Sequence, residues 1–183
     1  MLSINFNPFP NLETERLSLR RVVNNDVNEI FALRSDKEVM KYIPRPIAKT
    51  PEDALAHIAT IDATIDRNEG INWAITLKNS DKLIGVIGHY RIQPQNYRAE
   101  VGYILHPDYH GKGFIPEALK KVIEYGFNIM KLHTIEAVID PDNAGSEKVL
   151  QKSGFTKEAH FIENQFFEGQ FLDSIIYSLL NKS

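Results

Sequence analysis

Residues 106–130 read HPDYHGKGFIPEALKKVIEYGFNIM, and the fold is decided there. The stretch leaves a strand, passes through a glycine loop and enters a helix. The loop is His110-Gly111-Lys112-Gly113-Phe114. Its glycines permit backbone conformations closed to other residues and let a ligand approach the main chain. Beyond it, Ile115, Ala118, Leu119, Val122, Ile123, Phe127 and Met130 recur at the spacing of one buried helical face. Lys120, Lys121, Glu124 and Asn128 fall on the other face. Pro116 sits in the first turn, where a missing N–H matters least. Free N–H groups and the positive end of the helix dipole therefore converge on the loop, an arrangement suited to a phosphate. Two glycines alone fit a tight turn equally well. No Gly-Lys-Ser/Thr ends the loop and the third glycine of a dinucleotide fingerprint is absent, so neither common nucleotide motif applies.

Composition narrows the classes. The chain has 183 residues, enough for one domain with a sizeable core. Its 43% hydrophobic and 25% charged content is ordinary for a globular protein. A net charge of -3 argues against direct nucleic-acid binding. Without cysteine, disulfides, thiolate zinc sites and cysteine nucleophiles are excluded. The six histidines show no paired metal-ligand spacing, so no metal is expected. The opening MLSINFNPFPN lacks the basic and apolar regions of a signal peptide, and no apolar run reaches membrane-spanning length. A cytoplasmic protein with no membrane partner, monomeric or homodimeric, is the expectation.

The other elements follow in order. After an irregular lead-in over 1–13, Leu17 and Leu19 alternate with Ser18 and Arg20 as a first strand. Asn24-Asn25-Asp26 caps a helix over 26–35, and 36–42 continues as a helical turn broken by Pro44 and Pro46. Thr50-Pro51-Glu52-Asp53 opens a helix reaching about 68, with Ala54, Leu55, Ile58, Ile61 and Ile65 on its apolar face and Gly70 ending it. Strands are expected over 73–77, 83–92 and 98–105, the second buried on both faces. Thr134 to Ile139 is a further strand, and strand–helix–strand here implies a parallel pair. Residues 146–152 form a short helix; 155–166 and 171–180 form a terminal hairpin around Glu168-Gly169. The expected architecture is α/β (α+β): a mixed, mostly antiparallel sheet with one parallel step and helices on both faces.

These pieces, in this order, resemble one family. Thr14-Glu15-Arg16-Leu17-Ser18-Leu19-Arg20 and 36–42 resemble the opening segments of the ribosomal-protein N-terminal acetyltransferase branch of the GNAT N-acetyltransferases. Glu100-Val101-Gly102-Tyr103, 109–114 and Glu117-Ala118-Leu119 match its central motif. Asn143, Ser146, Lys148-Val149-Leu150 and Gly154-Phe155 match its last. The resemblance runs from about 12 to 180, treating the chain, 1–183, as a single N-acetyltransferase domain. It implies acetyl transfer from acetyl-CoA to a primary amine, in a gap between the splayed strands 98–105 and 134–139. The pyrophosphate would lie on backbone N–H groups of the loop formed by His110, Gly111, Lys112, Gly113, Phe114 and Ile115. The pantetheine arm would pair with the backbone of Tyr103, Ile104 and Leu105, with Asn143 contacting that arm or the Ser146 backbone. His110 and Ile115 depart from the family's usual residues, and Pro116 withholds one N–H.

An ammonium acceptor must lose a proton before attacking a thioester, which needs a carboxylate or a water chain near the gap. Glu100 is the candidate base, directly or through water; the alternative is an exposed or structural acid. Ser146 is the candidate donor to the leaving thiolate; a helix-start serine serving backbone N–H groups is the alternative. Trp73 and the aromatics Phe161, Phe166, Phe167 and Phe171 read as core or hairpin packing rather than substrate contacts. The acceptor pocket is expected between 26–70 and the 161–170 hairpin. Three readings stand: acetylation of a protein or peptide N-terminal α-amine, acetylation of an antibiotic or polyamine, or a non-catalytic acyl-CoA sensor.

Overall fold

The computed structural model describes residues 1–182. One eight-stranded sheet organises it, in the order β1-β2-β3-β4-β5-β6-β8-β7. The strands are β1 Leu12–Glu13, β2 Leu17–Arg21, β3 Ile71–Leu77, β4 Leu83–Gln93, β5 Arg98–Leu105, β6 Thr134–Ile139, β7 Thr156–Phe167 and β8 Gln170–Leu180. All neighbours are antiparallel except β5 and β6. The helices are α1 Val27–Ser35, α2 Lys37–Met40, α3 Pro51–Asp66, α4 Phe114–Asn128 and α5 Ala144–Lys152. None is long and apolar enough to cross a membrane.

Both faces of the sheet are covered, as the unbroken apolar run from Leu83 predicts. On one face Ile30 and Leu33 of α1 and Ala54 and Ile58 of α3 pack on Ala74, Leu83 and Val86. On the other, Ala118, Leu119 and Val122 of α4 pack on Trp73, Ile75, Ile87 and Val101. Leu83 to His89 is buried without interruption, which explains the unbroken apolar run in β4. Trp73 is fully buried, its indole N–H donating to the Pro10 carbonyl at 2.7 Å. That bond and buried Phe6 pin the lead-in to the core.

Local chemistry sets most helix ends. Thr50 and Asp53 form the expected capping box on α3. The helix stops at Asp66, earlier than Gly70 suggests, because Asn68 takes the left-handed turn at φ 56°. Leu55 lies at 39% exposure instead of in the core. Asp26 is buried and spent on Arg20, at 2.7 and 2.8 Å, and on the Val23 N–H, and Asn24–Asp26 forms a 3-10 turn ahead of α1. Of the hairpin aromatics, Phe166 and Phe171 show the expected hairpin packing, on the exposed side. Their ring centroids lie 5.0 Å apart, and they stand 64% and 63% exposed.

His89 is enclosed among Trp73, Gly126 and the Val122 carbonyl, which lies 3.1 Å from Nε2. A carbonyl only accepts, so Nε2 carries the proton. Burial lowers the His89 pKa to about 4; burial together with Arg34 and Arg45 does the same to His57. Both folded values lie below the ordinary 6.5, so the unfolded chain takes up protons first as pH falls. Stability should therefore be full above pH 7 and decline toward pH 4, by up to about 1.4 kcal/mol per pH unit for each histidine. Urea midpoints at pH 7.5, 6 and 5 measure this; a flat profile would contradict a neutral buried His89.

Candidate active site

The loop before α4 is shaped by its two glycines. Gly111 and Gly113 lie at φ 73° and 78°, in the left-handed region, and Gly113 is the N-cap residue. Among the described residues, no turn or cap hydrogen bond takes up the N–H groups of 111–115. They form an open cradle at the positive end of α4. Nothing lies within 4 Å of where a Gly111 Cβ would be. Phe114 and Ile115 turn inward and are 9% and 8% exposed, so Ile115 contributes its backbone to the cradle without crowding it.

The turn between β1 and β2 holds this loop. Glu117, in the first turn of α4, accepts from Thr14 Oγ1 at 2.6 Å, Arg16 N at 2.9 Å and Arg16 Nε at 2.6 Å. Arg16 Nη1 donates to the Lys112 carbonyl at 3.0 Å, and its guanidinium lies 4.7 Å from the Phe114 ring centroid. Across a trans peptide, fixing the Lys112 carbonyl turns the Gly113 N–H the opposite way. The hydrogen bonds from Thr14 and Arg16 outweigh burial and keep the Glu117 pKa below the usual range, so it stays ionised and paired. Sequence reading missed Arg16 because its partners lie about 100 residues away; its only signal was a place in the opening motif.

β5 and β6 pair only from Arg98–Thr134 to Glu100–Glu136. Beyond that they separate. His106 N–H donates to the Ile84 carbonyl at 2.8 Å, so alternation makes Val86–Ile104 the next bonded pair on the β4 side. The backbone of Ile104 is thus committed to β4, unlike that of Tyr103 and Leu105, which faces the gap. This corrects one of the three expected arm-pairing residues. The Leu105 carbonyl already accepts from His110 Nε2 at 2.9 Å, which gives His110 a loop-bracing role.

Two further groups meet at the gap. Asn143 caps α5, its Oδ1 accepting from the Ser146 N–H at 3.0 Å. That leaves the Ser146 hydroxyl free of capping work. The Tyr103 hydroxyl is buried beside the Ser146 side chain, in a geometry short of a well-formed hydrogen bond. Burial raises its pKa, and the nearby Ser146 side chain offsets part of the rise.

Glu100 sits where the pairing ends, its side chain 19% exposed and 2.9 Å from Arg91 Nη1. Burial raises its pKa above the ordinary carboxylate value, opposed by Arg91 and by Arg45. Its parallel neighbour Glu136 is paired with Arg98. Tyr90, opposite Glu100 in the β4–β5 ladder, is held protonated, burial raising its pKa to about 12. Glu100 lines a groove of about 320 Å³ with Arg91, Arg98, Glu136 and Val138. A second groove of about 350 Å³ meets it at Val138 and is lined by residues of 37–47, 138–140 and the hairpin. Both parts of the expected acceptor pocket contribute, though from α1 and α3 only the connecting segment does.

Residues 16–156 match the family model described as an acetyltransferase (GNAT) domain. The chain belongs to the GNAT acetyltransferase family. The uncharacterized N-acetyltransferase YoaA of Bacillus subtilis is 36% identical over 172 residues, 94% of this chain and 97% of that protein. A GNAT-family acetyltransferase structure from Bacillus anthracis matches with a TM-score of 0.84 at 28% identity, over 95% of this chain and 100% of that one. The ribosomal-protein-S5-alanine acetyltransferase of Vibrio fischeri matches with a TM-score of 0.82 at 26% identity, over 95% and 98%.

This GNAT chain is an N-acetyltransferase with acetyl-CoA as acetyl donor. The residues present suit that donor. The glycine cradle has room for a diphosphate, the gap offers unpaired backbone at Tyr103, and the buried Tyr103 hydroxyl marks a polar spot inside it. Among the described residues no cluster of His, Cys, Asp or Glu could hold a metal ion.

Proposed function

We propose that this acetyltransferase acts on the N-terminal α-amine of a protein or peptide. The observation that carries the reading is Glu100, a half-buried carboxylate with a raised pKa where β5 and β6 part, lining an open groove with Arg91, Arg98 and Glu136. An open groove suits a chain end better than an enclosed pocket would. The likeness to the S5-alanine acetyltransferase, above 25% identity, supports the same choice.

In this reading, the backbone N–H groups of Gly111, Lys112, Gly113, Phe114 and Ile115 hold the pyrophosphate, with Arg16 fixing the Gly113 peptide. The backbone of Tyr103 and the Leu105 N–H orient the pantetheine arm. Acetyl-CoA supplies the activated acetyl thioester. A Glu100 carboxylate oxygen accepts the ammonium proton, directly or through one water, which frees the nitrogen lone pair. The nitrogen forms a bond to the acetyl carbon as the C–S bond breaks, and its second proton passes to the departing thiolate, to which Ser146 Oγ–H, released from capping by Asn143, donates a hydrogen bond. Positioning of both substrates supplies much of the remaining acceleration.

Thiol release from acetyl-CoA, followed by mass spectrometry of products, tests the acceptor against N-terminal peptides, polyamines, aminoglycosides and free amino acids. Transfer to a peptide α-amine is expected; exclusive use of another class, or of hydroxyl groups, would overturn the reading. Ser146→Ala should lower kcat about tenfold, the loss of one hydrogen bond to a charged group, with acetyl-CoA affinity unchanged. Full kcat in that variant would remove Ser146 from the chemistry.

A further inference from the structure

Six of the eight arginines are committed to ion pairs. Arg16, Arg20, Arg21, Arg67, Arg91 and Arg98 each hold a carboxylate within 3.0 Å. Arg34 and Arg45 do not, and the fold puts them side by side. The segment 41–48 closes over the end of α1, with Ala48 N–H donating to the Arg34 carbonyl at 2.9 Å. Arg34 is half-buried behind the wall of the second groove, and among the described residues its guanidinium reaches only the Pro46 carbonyl, 3.4 Å from Nη2. Arg45, Lys37 and Lys41 line one wall of that groove, and the two lysines also lack a carboxylate within ion-pair distance among the described residues.

A partly desolvated guanidinium facing another cation, with no carboxylate beside it, is an unfavourable arrangement unless an anion completes it. Burial and the Arg45 charge both lower the Arg34 pKa. The opposite wall carries Asp140, Glu168 and Asp173. Two of these are occupied: Asp140 accepts from the Asp142 N–H, and Asp173 from His160 and the Glu163 N–H. Glu168 stays on that wall, so the groove holds both signs, but Arg34, Arg45, Lys37 and Lys41 have no carboxylate within ion-pair distance among the described residues. The basic wall adjoins the chemistry, since its groove meets the one that Glu100 lines at Val138, and Arg45 favours the Glu100 carboxylate.

We propose that Arg34, Arg45, Lys37 and Lys41 form an anion subsite, so that the acceptor is an amine bearing a carboxylate or phosphate near its nitrogen. This rests on the amine-acceptor reading above. An acidic N-terminus meets it, amine toward Glu100 and acid on the basic wall. A polyamine, cationic along its length, does not.

The test compares peptides that differ in one feature. Ala-Asp-Asp-Phe, Ala-Asn-Asn-Phe and Ala-Lys-Lys-Phe amides, a peptide with phosphoserine second, and spermidine are offered with acetyl-CoA. The acidic peptides should show kcat/KM at least about tenfold above the asparagine peptide, mainly through KM, a gap worth about 1.4 kcal/mol. The phosphoserine arm separates phosphate from carboxylate recognition. Arg45→Ala and Lys41→Ala, at exposed positions, and Arg34→Gln should remove the preference while acetyl-CoA affinity stays unchanged. Equal use of the asparagine or lysine peptide, better use of spermidine, or a preference surviving all three substitutions would overturn the subsite. Calorimetric binding of the aspartate and asparagine peptides to CoA-saturated protein reads the same preference without turnover. Absence of transfer to every amine would then sink the functional reading alone, whereas equal or absent binding of both peptides would sink the subsite.

Discussion

Glu100→Gln is expected to lower kcat/KM by about 10²–10⁴, the usual worth of general-base help, and to leave acetyl-CoA affinity unchanged. Glutamine keeps the shape and the hydrogen bond to Arg91, 2.9 Å away, but cannot take a proton from an ammonium. Arg91 is 62% exposed on its side chain, so weakening that pair should disturb the fold little. The pH profile gives an independent readout. Burial lifts the Glu100 pKa, with Arg91 and Arg45 pulling against it. A base works deprotonated, so the rate should fall as pH drops through that raised value, and the acidic limb should begin above the ordinary carboxylate range. Arg91→Ala removes an opposing cation and should move the limb higher still. Wild-type turnover in Glu100→Gln, with the same limb, would place the base elsewhere or in bulk water, leaving an enzyme that acts chiefly by positioning.

Gly113→Asp should weaken acetyl-CoA binding by about two orders of magnitude. Two effects add. Gly113 lies at φ 78°, where a side chain strains the N-cap of α4. The new carboxylate would also stand at the mouth of the anion cradle, where a like charge about 4 Å away is worth a few kcal/mol at protein-surface dielectric. Its Cβ would come 3.4 Å from Arg16 Nη2. A competing ion pair there would pull Arg16 from its task of holding the Lys112 carbonyl. Gly111→Ala separates strain from charge, because open space surrounds that position and the φ of 73° is the sole penalty. It should weaken binding only severalfold. Calorimetric titration of both variants decides: if Gly113→Asp binds acetyl-CoA as tightly as the parent, the phosphate lies elsewhere.

The readings that succeeded were local ones. The apolar face of α4 from Ile115 to Phe127, the Thr50–Asp53 capping box and the apolar run of β4 each write their geometry into a few consecutive residues, because periodicity and capping act over one or two turns. The glycine loop was legible for the same reason, since positive φ at Gly111 and Gly113 needs no distant partner. Where an α-helix links β5 to β6, handedness and connection length already forced the parallel step. What the sequence could not settle depends on which strands lie side by side. Arg16 finds Glu117, Arg91 finds Glu100 and Arg98 finds Glu136 only after the sheet order is set. His110 braces the Leu105 carbonyl, and Ile104 turns its backbone away from the gap, by ladder alternation that no composition reveals. The same holds for Arg34 and Arg45. Their lack of carboxylate partners is a property of the closed loop over α1, because a charge in sequence has no neighbour until the chain has folded around it.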